Sequence, residues 1–165
     1  MATDDPVTKE TYIKLLVDTL SNKLQVMDQL ILLSLTQEKE ISSDTFDEKY
    51  FEELMDQKST LIEKLNQLDT GFDTIYQAVD EELKGNKAKY KDAIIVMQDL
   101  IKKITDKSVE LQALEIRNRD KLEQLLSHKR KEIKSSRVLG KTATNYYKTM
   151  ANQHEQKSFF YDTKK

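Results

Sequence analysis

The sequence predicts an all-α fold: an elongated antiparallel helical hairpin completed to a three-helix, coiled-coil-like bundle, with a long third helix and a short C-terminal helical or flexible tail. Three observations carry this. Three glycines and one proline in 165 residues leave the chain short of the turn residues that sheets and compact loops need. Charged residues make up 34% and apolar residues 38%, too little apolar surface for a thick core but enough for narrow seams between paired helices. Apolar residues also recur at helical spacing through three long segments. The expected organisation is one helical bundle domain over residues 1–137, with helices at about 6–41, 46–84 and 87–135, and an amphipathic, aromatic-containing tail over 138–165.

The first helix is expected to start at Asp5, a good N-cap, with Pro6 in the first helical position, where its missing N–H costs nothing. Ile13, Leu16, Leu20, Leu24, Met27 and Ile31 follow at spacings of three and four, so they share one stripe, which Leu15, Leu30 and Leu33 widen. The segment Ser42 to Glu48 favours local backbone hydrogen bonds, and Thr45 with Glu48 reads as a capping box opening the second helix. There, Phe51, Lys58, Leu65, Phe72 and Val79 form one seven-residue series. Leu54, Leu61, Leu68, Ile75 and Glu82 form the other, so eight of ten seam positions are apolar. Gly71 interrupts this helix at a cost of about 1 kcal/mol relative to Ala.

Gly85 with Asn86 is expected to supply a left-handed C-cap and the next N-cap, reversing the chain. Tyr90, Ile94, Met97, Ile101, Ile104 and Leu111 continue the seam in the third helix. Beyond Leu111 the same register meets Glu115, Asn118, Leu122, Leu125, Lys129 and Glu132, and the seam frays. At about 1.5 Å per residue, helices of about 35, 38 and 50 residues span roughly 50, 57 and 75 Å. The third is therefore expected to overhang, with Leu114, Leu122, Leu125 and Leu126 as an apolar ridge open to a partner helix or to a second copy.

A hinge is expected near Ser135 to Gly140. After it, Leu139, Ala143, Tyr146, Tyr147 and Met150 fit one face of a short helix, and Phe159, Phe160 and Tyr161 lie almost at the terminus. Five of the twelve aromatic residues fall in the last twenty positions, an unusual load for a purely solvated tail. The expected partner-binding residues are thus Leu122, Leu125, Leu139, Ala143, Tyr146, Tyr147, Met150, Phe159, Phe160 and Tyr161.

Charge is divided along the chain. Residues 1–86 hold 8 Lys/Arg against 19 Asp/Glu, and residues 87–165 hold 19 against 10. Either an acidic hairpin pairs with a basic third helix within one molecule, or the polarity steers a partner. The absence of cysteine removes disulfides and thiol chemistry. With no signal-like start and no apolar run near the roughly 20 residues that cross a bilayer, a cytoplasmic chain without a membrane span is expected.

Nothing points to catalysis. The only histidines, His128 and His154, lie in polar sequence without an orienting partner, and the acids lack calcium-loop spacing. No enzyme activity, cofactor or metal is expected. The run Ser135 to Thr142 ends like a phosphate-binding loop, but a serine stands where that loop needs its first glycine. Between His128 and Lys148 there are seven basic residues and one acid, with Tyr146 and Tyr147 available for stacking. The acidic isoelectric point, about 5.8, argues against nucleic acid.

Two stretches, KLLVDTLSNKLQVMDQLILLSLTQEKEI with YFEELMDQKSTLIEKLNQLD, and ALEIRNRDKLEQLLSHKRKEI, resemble the FlgN-type flagellar export chaperones. The first looks like that family's opening helical pair. The second is similar to its late helix, where a polar turn (Arg117, Asn118, Arg119) precedes a Leu-rich one (Leu122, Leu125, Leu126), and TNYYKTM is similar to its tail. The resemblance covers most of residues 12–150. It implies a cytosolic chaperone, without ATP hydrolysis of its own, that binds flagellar hook-associated proteins of the hook-filament junction and delivers them to the export gate. The alternative from the residues alone is a structural coiled-coil scaffold that forms a homo-oligomer.

Overall fold

The structure is a computed structural model, and it describes residues 6–128 and 141–152. Helix α1 spans Pro6–Ile41, α2 Glu48–Gly85 and α3 Lys91–His128, and a short α4 covers 141–152. No strand occurs among the described residues, and the three long helices pack against one another as an all-α bundle.

Helix α1 is the shared neighbour of α2 and α3. Its ion pairs to α3 and to the turn just before it climb in step, Glu10 with Lys89 at 3.6 Å, Asp28 with Lys107 at 3.3 Å and Glu38 with Arg117 at 3.3 Å, so α1 and α3 run parallel. Those to α2 descend, Lys9 with Glu82 and Lys23 with Asp69, so that pair is antiparallel. The hairpin and the third helix do meet within one molecule, but α3 holds seven Lys/Arg against seven Asp/Glu, so the basic excess expected of it lies elsewhere in the second half of the sequence. Apart from Lys23, which is 6% exposed, these pairs lie at or near the surface and are worth at most about 1 kcal/mol each, so they set register more than stability. That stability comes from the apolar stripes they flank.

Most of the α1 stripe lies inside: Ile13, Leu16, Leu20, Met27, Leu30 and Ile31 are buried and Leu24 and Leu33 half-buried, but Leu15, expected to widen it, is exposed. In α2 the whole Phe51 series is buried. The second series is covered only at Leu54; Leu61, Leu68 and Ile75 are half-buried, and Met55, Ile62 and Leu83 are buried instead. The reason is that α2 faces α1 and, through long side chains, also α3 and α4. Its buried face is therefore wider than a two-helix seam and rotated from it.

Three local expectations need correction. The N-cap of α2 is Asp47, not Thr45: Asp47 Oδ1 accepts from the Tyr50 N–H at 3.2 Å, while the Thr45 N–H goes to Ser43 Oγ. With the cap at Asp47, Phe46 immediately precedes it and meets Phe51, ring centroids 5.5 Å apart. That is a hydrophobic staple, which a cap at Thr45 would forgo. No described residue has positive φ, so the left-handed cap at Gly85 and Asn86 is absent. Instead Asn86, at φ −133° and ψ 46°, sends its backbone N–H and its side-chain amide to the Glu82 carbonyl at 3.1 and 3.2 Å. The turn then occupies 86–90, and α3 starts at Lys91 rather than 87.

The expected overhanging ridge is also taken up by the fold. Leu114 and Leu122 are each 2% exposed, and Leu125 and Leu126 are half-buried. The Asp5 cap, the part of the third helix beyond His128, and the hinge lie outside the described residues.

Candidate functional site

Where the α3 seam was expected to fray, the bundle instead buries a polar cluster. At one level each long helix replaces its apolar seam residues with polar ones: Ser34 and Gln37 in α1, Lys58 in α2, Glu115 and Asn118 in α3. All five are at most 3% exposed. Lys58 Nζ donates to Gln37 Oε1 and to Glu115 Oε1, both at 2.5 Å. Ser34 Oγ donates to the same carboxylate oxygen, and Asn118 Nδ2 donates to the Ser34 carbonyl at 2.9 Å.

Helix α4 closes this cluster. Ala143, Tyr146 and Met150 are buried at spacings of three and four, which puts them on one face. The Tyr146 OH donates to Glu115 Oε1 at 3.3 Å, and its ring receives Lys58 Nζ at 4.3 Å from the centroid. A cation over an aromatic face gains about 0.5–2 kcal/mol, more when water is excluded. Thus α4 is seated on a charge pair by a tyrosine that touches both partners.

Burial governs the proton affinities. Loss of water pushes the Lys58 ammonium down to about 8, outweighing the pull of Glu115, because a low-dielectric interior disfavours the charged form. The Tyr146 phenol is driven well above 10 by burial and by the neighbouring Glu115 carboxylate, and Tyr147 is raised by the same two causes in the same order. Both phenols therefore stay neutral, and that of Tyr146 serves as a hydrogen-bond donor.

Satisfaction is uneven. Three donors converge on Glu115 Oε1, while Glu115 Oε2, Asn118 Oδ1 and the Tyr147 OH have no hydrogen-bond partner. Beside them a cleft of about 160 Å³ opens between α3 and α4. Its lining includes Ser108, Glu115, Ile116, Arg119, Tyr147, Met150 and Ala151. Such a cleft can take a small polar group; three or more His or acidic side chains placed to hold a metal do not occur among the described residues.

The expected partner-binding residues divide three ways. Leu122, Ala143, Tyr146 and Met150 are buried within this fold; Leu125 and Tyr147 are half-buried. Leu139, Phe159, Phe160 and Tyr161 lie outside the described residues. Of the basic run, Lys141 and Lys148 are described, and both are exposed, as is His128. Sequence reasoning missed the polar cluster. Its signal was present as Lys58 in an otherwise apolar series and as Glu115 and Asn118 in the register of Leu111.

No helix among the described residues is long and apolar enough to cross a membrane. Comparison with known proteins finds no matching family model, no matching curated protein and no matching solved structure, so the functional reading rests on the residues of this chain.

Proposed function

We propose that the chain is a cytoplasmic, non-enzymatic export chaperone that binds flagellar hook-associated proteins and delivers them to the type III export gate. The observation that carries a protein-binding role is the seating of α4. It meets the bundle through long side chains on one face, Tyr146 and Met150 among them, and leaves a cleft beside it with Ile116 44% exposed at the rim. A helix held this way lends amphipathic surface that a partner helix can extend. The resemblance of the first, second and late helices to FlgN-type chaperones supplies the substrate class.

Deleting residues 138–165 tests the reading. The shortened chain is expected to keep its helical circular-dichroism spectrum while losing capture of a purified hook-filament junction protein. Capture at full affinity by the shortened chain rules out the tail region as the binding element.

Exposed leucines favour a second reading, a self-associating scaffold. Leu32 is 65% exposed, and Leu15 and Leu35 are 41% exposed, all on α1. Light scattering separates the two, since a scaffold forms a fixed oligomer that ignores junction proteins.

A further inference from the structure

Helix α1 is the shared neighbour of α2 and α3, which leaves a third side of it open. On that side Asp28, Leu32, Leu35 and Lys39 follow one another at spacings of four, three and four, so they form one ridge of the helix. All four are exposed, Leu32 at 65% and Leu35 at 41%. Leu32 is the most exposed large apolar residue among those described.

The ridge has two sides. Leu35 follows Asp28 by seven residues and precedes Glu38 by three, and both of those reach α3, so Leu35 leans toward α3. Leu32 leans the other way: with Gln29, Leu33, Gln57, Thr60 and Leu61 it lines a cleft of about 450 Å³ between α1 and α2. None of these six is charged, in a chain whose charged fraction is 34%.

Reversed end to end, the ridge keeps its pattern with the charges exchanged: acid, leucine, leucine, base. An antiparallel second copy therefore sets Asp28 opposite Lys39 and Leu32 opposite Leu35, twice over, as a two-fold axis requires. The axis also exchanges the sides of the ridge, so the Leu35 of each copy, leaning toward its own α3, meets the α1–α2 cleft of the other. An unrelated partner would have to reproduce this order of residues; the chain itself carries it.

The neighbouring helices extend the match. Lys107 pairs with Asp28 at 3.3 Å and so lies at its level. The α1–α2 register, with Lys23 on Asp69 and Gln37 on Met55, puts Glu53 level with Lys39. Across the axis Glu53 then faces Lys107 while Lys39 faces Asp28, so both facing pairs are of opposite charge. The Asp28 side chain stays 55% exposed beside Lys107, and Lys39 and Glu53 are exposed, so these groups are within reach of a partner. One contact opposes the pairing. Lys64, level with Asp28 on α2, faces the Arg117 of the copy, although Glu38 already holds that arginine at 3.3 Å.

We infer that the outer face of α1 pairs with a second copy of this chain about a two-fold axis, with Leu32 and Leu35 at the centre and Asp28 and Lys39 at its ends. The inference supplies a surface for the self-associating reading and rests on that reading only for what the pair does.

The test is sedimentation equilibrium of the full chain over a wide range of concentration. A monomer–dimer equilibrium is expected. Leu32→Glu is expected to raise its dissociation constant at least about tenfold, with the far-ultraviolet circular-dichroism spectrum unchanged. Asp28→Lys and Lys39→Glu should each weaken the pair by about three- to tenfold, because each sets like charges opposite one another, and the double variant should return to within about threefold of the parent. Lys64→Glu should tighten it. A chain that stays monomeric, a dimer indifferent to Leu32→Glu, a double variant no better than the weaker single, or a Lys64→Glu chain that pairs less well overturns the proposal. Capture of a purified hook-filament junction protein is scored in parallel. A dimer indifferent to Leu32→Glu that ignores the junction protein sinks this face and leaves the scaffold reading; a dimer broken by Leu32→Glu that captures the protein keeps the face and sinks the scaffold.

Discussion

The two halves of this bundle solve the same packing problem with opposite chemistry. Toward the turn at 86–90, Leu16, Leu20, Leu65, Phe72, Val79, Met97 and Ile104 fill the space between helices with apolar side chains. Toward the α1–α2 loop, the space at the corresponding level is occupied by Lys58, Glu115, Gln37, Ser34 and Asn118 under the Tyr146 ring. An apolar seam is forgiving about partners, because one leucine fits many neighbours. A buried ion pair tolerates only the neighbour that completes it, as polar seam residues in coiled coils fix register at a cost in stability. The half that carries α4 is thus the half with the more demanding interior.

The strongest way to break this contrast is to remove one partner. Lys58→Met leaves Glu115 buried with its ammonium gone, and the expected loss is about 3–5 kcal/mol in urea denaturation. Lys58→Met with Glu115→Gln removes both charges while keeping an acceptor for Ser34 and Tyr146, and is expected to recover most of that loss. Equal destabilisation by the single and double variants would show that the pair is spectator to packing.

Acidity probes the same half more gently. The folded-state value of Lys58 is about 8, against an ordinary 10.5. Between these values the unfolded chain binds more protons, so stability rises with pH; this contribution is complete above 10.5 and is lost as pH falls through 8. Tyr146 and Tyr147 lie above their ordinary 10, so their contribution is complete below 10 and is lost as pH rises beyond it. The chain is expected to gain about 2 kcal/mol from pH 8 to 10 and then to weaken. The Lys58→Met/Glu115→Gln double variant should lack the rise, so the difference between parent and variant should retain it; a rise of the same size in both would place its origin elsewhere.

The contrast also explains what could be read from sequence. Periodicity located all three long helices, and the Ile13 to Ile31 stripe and the Phe51 series face inward, because apolar spacing reports directly on burial. It also grouped Ala143, Tyr146 and Met150 on one face of a short helix. Polar residues in the same register carry no such sign. Glu115 and Asn118 looked like a seam coming apart, and only the α1–α3 register, pinned by Asp28 with Lys107 and Glu38 with Arg117, brings them level with Ser34, while α2 brings Lys58 to the same height. The cap of α2 was misplaced for a related reason: Thr45 and Asp47 are both plausible from local propensity, and the Phe46–Phe51 contact that selects Asp47 is a packing event.

The smallest effect belongs to the apolar half. Gly71 lies within α2, one residue before the buried Phe72, and a Cβ built on it meets no atom within 4 Å. Glycine inside a helix is about 1 kcal/mol less favourable than alanine, because the unfolded chain loses more freedom there. With open space at the position, Gly71→Ala should recover about that amount as a higher urea midpoint with an unchanged slope. The gain should be the same in the parent chain and in the Lys58→Met/Glu115→Gln background, since distant sites add. A gain that changes between the two backgrounds would mean that the apolar half and the charged half are coupled along α2, and that the charge pair reaches further into the bundle than its own contacts.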